Sequence, residues 1–331
     1  MAVWQRVSGC VRKIETKLVS AKVIYKVDLF PCGEVIKVRI SQPIRSIWCN
    51  PGNQGRYLRK TVEAFLWQLR KRTYRSTKIL RLRSGALFKA YADCVISSAL
   101  IYANWPEYHE LTFLRRYLRA GEIVIDVGAN VGHISLLLSD IVGPSGIFAF
   151  EPTPISFARL RENWELNGWP IENLKQMAVG ARSGRVFIPN VDRPLTTNTI
   201  LDTPAKAGSV EIPLVRLDDF RDSWHGQPIG LLKVDVEGYE QQVFRGAREL
   251  LRIDRPRFVM FESLSGKIAP NVEALLAEVE YAVFQLGPDG RPEFAGQSAQ
   301  NLFAIPEEYR KQFDADSAIQ KVGFSYTEIS A

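Results

Sequence analysis

The pattern of apolar and polar positions changes character near residue 105. Before it, Val23 to Leu29 and Val35 to Ile40 alternate with a period of two on either side of Pro31-Cys32-Gly33-Glu34, which predicts a β-hairpin. Asn50 to Gly55 reads as a loop, and Ile79 to Ala90, turning at Ser84-Gly85, predicts a second hairpin. From Tyr57 towards Arg83, Phe65, Leu66, Trp67 and Leu69 are interleaved with basic residues, the composition of an amphipathic helix. After residue 105, buried strands and helices take turns. A helical stretch, Tyr108 to Arg119, leads into the continuous apolar run Ile123 to Gly128. A helix over Ile134 to Val142, a strand at Gly146 to Pro152 and a helix from Pro154 to Asn167 follow. Leu174 to Val179, Leu231 to Val236, a helix over Gln241 to Leu251 and a strand at Arg257 to Glu262 keep the same beat, and strands at Tyr281 to Leu286 and Asn301 to Ile305 close it. Strand and helix in this alternation predict parallel β-α-β units. The fold class is therefore α/β, a doubly wound, mostly parallel sheet whose ligands bind beyond the carboxyl ends of the strands.

The change of pattern divides the chain into a basic, partly β N-terminal appendage, residues 1–78, and an α/β domain, residues 79–331. Charge follows the same division. Residues 1–100 hold 20 lysines and arginines against 5 acids, whereas residues 101–331 hold 23 against 31. Between residues 57 and 83 the only acid is Glu63. Such a segment suits a solvated face packed on the fold, or an anionic membrane surface or anionic substrate reached by residues 57–83 with Phe65 and Trp67 inserting. Nucleic acid is not expected, because no nucleic-acid module accompanies the charge.

Composition narrows the function classes. At 46% hydrophobic and 24% charged over 331 residues, the chain is neither disordered nor collagen-like. No apolar run reaches the roughly 18 residues of a membrane span, and the N-terminus lacks the apolar core of a secretory signal. A cytoplasmic protein, peripheral to the membrane if the basic segment docks there, is expected. Cys10, Cys32, Cys49 and Cys94 are scattered without zinc-ligand spacing, so reduced structural thiols and no metal site are expected. Three histidines and the absence of a G-x-S-x-G elbow leave a serine hydrolase little to work with.

The candidate chemistry lies at the strand ends. In Asp126-Val127-Gly128-Ala129-Asn130-Val131-Gly132, the glycines remove side chains where a backbone would approach a ligand, and the following helix offers unpaired N–H groups. Asn130 stands where the dinucleotide fingerprint needs its second glycine. Asp126 would repel phosphates yet suits an ammonium or sulfonium cation. Glu151 ends the next strand, where a carboxylate accepts hydrogen bonds from ribose hydroxyls. Together the two acids favour S-adenosylmethionine over NAD as cofactor.

These residues bring a resemblance with them. Asp126 to Gly132, Phe150-Glu151-Pro152, Leu217-Asp218-Asp219-Phe220 and Leu232 to Glu240 occur in the order seen in FkbM-type methyltransferases. The resemblance covers roughly residues 80 to 305 and implies a class I, Rossmann-like fold and S-adenosylmethionine-dependent methylation of a hydroxyl on a sugar, glycolipid or secondary metabolite. It further implies that Asp126, Gly128, Asn130 and Gly132 cradle the amino-acid part of the cofactor, that Glu151 binds the ribose and that Ala178 lies near the adenine.

In Lys233-Val234-Asp235-Val236-Glu237, alternation sends Lys233, Asp235 and Glu237 to one side if the strand persists that far. Asp235 and Glu237 are then candidates to orient or deprotonate the acceptor hydroxyl, with Lys233 lowering the carboxylate pKa. A buried Lys233–Asp235 couple that fixes the sheet is the structural alternative. His109 and Glu110, one helix ahead of the first strand, and Glu262, at the end of its own, are candidates for binding the acceptor, a small molecule, glycan or glycolipid. His133, at the helix start, is expected to touch the cofactor loop. Two other classes stay open: a nicotinamide-dependent oxidoreductase, and a methyltransferase-like scaffold that binds acidic lipids without catalysis.

Overall fold

The computed structural model describes residues 2–7, 10–19, 22–28, 35–38 and 42–310, apart from 74–76, 104, 190–207, 264–266 and 295–298. At the N-terminus four strands, Ala2–Val7, Cys10–Val19, Lys22–Asp28 and Val35–Val38, pair as an antiparallel meander in chain order. Its last pair is the expected hairpin, with Tyr25 opposite Val38 and Val27 opposite Ile36; the turn at 31–34 lies outside the described residues. The two earlier strands escape a period-two search because charged neighbours such as Arg12 and Lys13 interrupt the alternation.

Helices α1 (Gln42–Trp48) and α2 (Tyr57–Thr73) follow, joined through a 3-10 turn at Pro51–Asn53. Asn50 caps that turn by accepting the Gly52 N–H at 2.8 Å. Buried Asn53 ties it down by donating to the carbonyls of Ile47 and Tyr102 at 2.9 and 2.8 Å. The expected basic helix thus ends at Thr73, and the residues after it begin the second hairpin, Lys78–Arg81 paired with Leu87–Ala90. Trp67 is buried and donates its indole N–H to Ser98 at 3.1 Å on α3 (Val95–Tyr102). Ile47, Ala64 and Trp67 share one core with Phe88, Ile101 and Leu136. From α1 onward, therefore, the residues before the expected boundary at 78 pack into the α/β body.

The α/β body starts with α4 (Tyr108–Tyr117) and proceeds through β1 (Ile123–Val127), α5 (His133–Val142), β2 (Ile147–Phe150), α6 (Pro154–Glu165) and β3 (Leu174–Lys175). It continues with β4 (Ile229–Val234), α7 (Glu240–Gly246), β5 (Phe258–Glu262), α8 (Pro270–Glu278), β6 (Tyr281–Leu286) and β7 (Asn301–Pro306). The sheet order is β3-β2-β1-β4-β5-β7-β6, with Pro292–Glu293 extending the β6 edge. Strands β1 to β5 are parallel, and β7 runs antiparallel to both β5 and β6. This is the doubly wound, mostly parallel α/β sheet that the sequence pattern predicts. Every residue of β1, β2 and β4 is buried, and successive side chains feed opposite cores: Val124, Ala149 and Leu231 one, Ile125, Phe150 and Leu232 the other. Burial on both faces is why these strands read as unbroken apolar runs.

Two expected elements are divided. Leu174–Lys175 pair with β2, but Ala178–Val179 leave the main sheet and pair with Ser209–Val215, which also pairs with Gly184–Pro189. The helix expected to Leu251 stops at Gly246 and resumes as a π turn over Leu250–Asp254. A Cβ at Gly246 would lie 1.9 Å from the Gly180 carbonyl oxygen, so only glycine lets the helix pass that backbone. Asp218, from the motif at 217–220, accepts the Leu250 N–H at 2.9 Å and so secures the π turn.

Candidate active site

Beyond β1 the chain turns sharply, with φ of +77° at Gly128, +51° at Asn130 and +83° at Gly132. At both glycines the missing side chain makes room for neighbouring protein. A Cβ on Gly128 would stand 1.9 Å from the Asp235 carbonyl oxygen, and one on Gly132 would stand 2.5 Å from Leu160 Cδ1. Gly128→Ala, which combines that clash with a left-handed φ, is expected to destabilise the fold by about 2–3 kcal/mol in a urea melt. An unchanged midpoint would show that the loop can move away from the Asp235 turn. Glu151 fastens the tip of the loop to the end of β2: its Oε2 accepts the Asn130 N–H and its Oε1 the Thr153 N–H, both at 2.8 Å. Burial pushes the Glu151 carboxyl above its usual range, against the opposing effect of those N–H donors.

Asp126 is fully buried and turned inward. Its carboxylate accepts from Ser135 Oγ at 2.7 Å and from Lys233 Nζ at 3.0 Å. Lys233 also lies 3.5 Å from Asp235 Oδ2. Burial alone would lower the Lys233 pKa, but Asp126 and Asp235 outweigh it and hold the ammonium well above its ordinary value. The buried couple is thus Lys233 with Asp126, and Asp235, its side chain 41% exposed, is the outer member of a three-residue chain.

A cavity of about 350 Å³ opens at the carboxyl ends of β1, β2, β4 and β5, within the size range of small-ligand sites. Of the residues expected to bind a cofactor, Gly128, Asn130, Glu151 and Ala178 line it, whereas Asp126 and Gly132 do not. Asp235, Glu237 and Glu262 line it too, and Lys233 stands behind them. Four of its lining residues carry a buried polar atom without a hydrogen-bond partner: Asn130 Oδ1, His133 Nδ1, Glu107 Oε2 and Glu262 Oε2. Buried polar atoms are normally paired, so their convergence on one cavity fits a polar ligand with several donors and acceptors.

The strand does not persist to Glu237. β4 ends at Val234, and Glu237 sits in the following turn at φ +54°, a conformation costly for a residue with a Cβ. The turn nevertheless brings Asp235, Glu237 and Glu262 together, each offering an oxygen within 4.8 Å of the others. Burial, then the neighbouring Glu262 and Asp235 charges, push the Glu237 carboxyl up to about 7. Glu262, which accepts from Gln300 at 2.9 Å, is raised by burial as well. The trio supplies fewer oxygens than a calcium or magnesium ion takes, so substrate or water would have to complete any such shell.

A second cavity, of about 860 Å³, shares Val95, Ala99, Pro106 and Glu107 with the first. His109 lines it, beside Asn50, Tyr102 and Tyr108. Glu110 lines neither cavity; it is held near Asn301, and burial raises its pKa. Sequence reasoning missed the wall supplied by α3 and Glu107, and also Gln300. Glu107 follows Pro106 at a helix start and carries a φ of +52°; the proline marks the turn, but no spacing marks the carboxylate.

Residues 126–286 match the family model described as the methyltransferase FkbM domain. The chain is 29% identical over 160 residues to the hexuronic acid methyltransferase AglP of Haloferax volcanii, covering 48% of this chain and 63% of that protein. It is 30% identical over 162 residues to the 31-O-demethyl-FK506 methyltransferase FkbM of Streptomyces tacrolimicus, covering 40% and 62%. To the 2-O-methyltransferase NoeI of Sinorhizobium fredii it is 26% identical over 157 residues, covering 42% and 62%. The chain therefore spans less than two thirds of the length of these three relatives. Among solved structures, the SAM-dependent methyltransferase of Agrobacterium tumefaciens aligns with 70% of each chain at 12% identity and a TM-score of 0.37. Residues 126–286 are similar in sequence to the methyltransferase FkbM domain, the family that the motifs at the strand ends resemble.

Proposed function

We propose that this chain is an S-adenosylmethionine-dependent methyltransferase that methylates a hydroxyl group of a sugar, glycolipid or other small metabolite. The observation that carries this reading is the meeting of a cavity whose lining residues carry unpartnered polar atoms with a cluster of three carboxylates at the strand ends. Glu151 has lone pairs left after accepting two N–H groups and would take the ribose hydroxyls. Asn130 and His133 would hold the amino-acid part, and Ala178, Met177 and Ile188 give the cavity an apolar wall suited to adenine. When bound, S-adenosylmethionine supplies a methyl group already activated as a sulfonium. An alcohol that took the methyl group would release S-adenosylhomocysteine and lose its own proton, and Glu237, its carboxyl pushed up to about 7, would accept that proton. Asp235, anchored by Lys233, and Glu262 would orient the hydroxyl. Val95, Ile96 and Ala99 of α3 line the cavity and would help exclude water.

The second cavity would take the rest of the acceptor. Its tyrosines, His109 and Asn50 offer aromatic surface and hydrogen-bonding groups, the combination a sugar ring needs. The relative named for a hexuronic acid supports a sugar acceptor, and the relative named for 2-O-methylation supports transfer to oxygen.

Isothermal titration with S-adenosylmethionine, S-adenosylhomocysteine and NAD tests the cofactor assignment. Both adenosyl ligands are expected to bind and NAD is not, and Glu151→Ala should weaken S-adenosylhomocysteine by roughly 10- to 100-fold with the circular dichroism spectrum retained. Binding of NAD, or wild-type affinity in the variant, would overturn it.

A further inference from the structure

Helix α2 has two apolar faces. Ala64 and Trp67 point into the core, while Leu58, Val62, Phe65, Leu66 and Leu69 recur three and four residues apart on the opposite side and are 51–75% exposed. A surface helix ordinarily keeps one apolar stripe and turns it inward. A second, outward stripe of large side chains marks a surface that meets something apolar.

Its borders say what that is. At 100° per residue, Arg59 and Arg70 fall along one edge of the stripe and Arg72 along the other, all three exposed. Glu63, the acid of this helix, is already paired with Arg59 and Lys60 at 2.9 and 3.1 Å. Trp48 of α1 lies beside the stripe, 47% exposed, stacked on Tyr57 at 5.2 Å and donating to Thr61 at 3.2 Å. An apolar seam edged by arginines with a tryptophan at its rim is the composition of a helix lying in the headgroup plane of an anionic bilayer. A second copy of the chain would bring like-charged borders together. Nucleic acid would use the arginines and leave the leucines and phenylalanine in water. Among the described residues no helix is long and apolar enough to cross a membrane.

We infer that the outer face of α2 docks this protein on an anionic lipid surface, with Phe65 and its apolar neighbours inserted and Arg59, Arg70 and Arg72 at the headgroups. The sequence pairs Phe65 with Trp67 as inserting residues; the structure gives Trp67 to the core and leaves the surface to Phe65.

Co-sedimentation of the full chain with phosphatidylcholine vesicles, with and without phosphatidylglycerol, tests this. Binding should require the anionic lipid and fall as salt rises, and Phe65→Glu combined with Leu66→Glu should lower it by about tenfold or more. Both positions are exposed, so an unchanged thermal midpoint is expected in the variant. Brominated lipid should quench the Trp48 share of the emission, read as the difference from Trp48→Phe. Equal partitioning with and without anionic lipid, binding to neither vesicle, or wild-type binding by the double variant would each overturn the inference. So would self-association that Phe65→Glu abolishes in the absence of vesicle binding, which would assign the stripe to a second copy.

Discussion

Glu237→Gln is expected to lose about 10²- to 10⁴-fold in kcat at neutral pH, the usual contribution of a general base, while S-adenosylhomocysteine still binds. The glutamine keeps the shape of the side chain and removes only its ability to hold a proton. In the wild-type protein kcat/KM should rise tenfold per pH unit up to about 7, where the Glu237 carboxyl ionises, and then level off. In the variant that limb should disappear. A variant that retains the limb would place the base elsewhere, with Asp235 the next group to replace. The same substitution should stabilise the fold. Because the native carboxyl is raised from 4.5 to about 7, the folded state binds more protons than the unfolded one between those values, and wild-type stability falls as pH rises through that window. Glu237→Gln is free of this loss, so its advantage in Tm should be full above pH 7 and vanish towards pH 4.5. Activity lost together with stability gained is the signature of a group held for chemistry at the expense of the fold.

Asp126→Ala is the second large effect, and it is read as stability. The substitution leaves Lys233 buried with Asp235, 3.5 Å away, as its nearest remaining counter-charge and removes the acceptor of Ser135 Oγ. Removing one partner of a buried pair costs about 3–5 kcal/mol, which corresponds to a fall in Tm of roughly 10 °C. Lys233→Met should cost a similar amount by stranding Asp126, and the double variant should recover part of the loss because no unpaired charge remains. A double variant as unstable as the sum of the two singles would mean that the residues act independently. The Lys233 pKa is raised above its ordinary 10.5, so the stabilisation is complete below that pH and is lost as pH climbs through the higher folded value.

What could be read in advance follows how local each signal is. The runs Ile123 to Gly128 and Leu231 to Val236 announced buried parallel strands, observed at Ile123–Val127 and Ile229–Val234, because both faces of each are covered, and Glu151 was legible as a residue of the cavity because it stands at a strand end. Asp126 was placed at the right site with the wrong partner: Lys233 is 107 residues away, and the two meet only because β4 pairs with β1 across a long crossover. The glycines at 128 and 132 were readable as positions that must lack a side chain, but their neighbours, Asp235 and Leu160, are set by tertiary packing. Glu107 and α3 lie upstream of the first strand, where no motif connects them to the cavity. For α2, composition alone could not choose between Trp67 and Phe65, since a helix apolar on two faces has no unique inward phase; the bond to Ser98 decides it.

The close crossing of Gly128 and the Asp235 carbonyl has a consequence for the order of events. The loop after β1 and the carboxylate turn touch backbone to backbone, leaving no room for even a methyl group between them. A ligand that settles the loop therefore also sets the position of Asp235, and an acceptor that pulls on Asp235 presses back on the loop. Such coupling is reciprocal by linkage: the factor by which one ligand tightens the other is the same in both directions. Two cavities that share a wall would then fill as a cooperative pair, and product release would loosen both together.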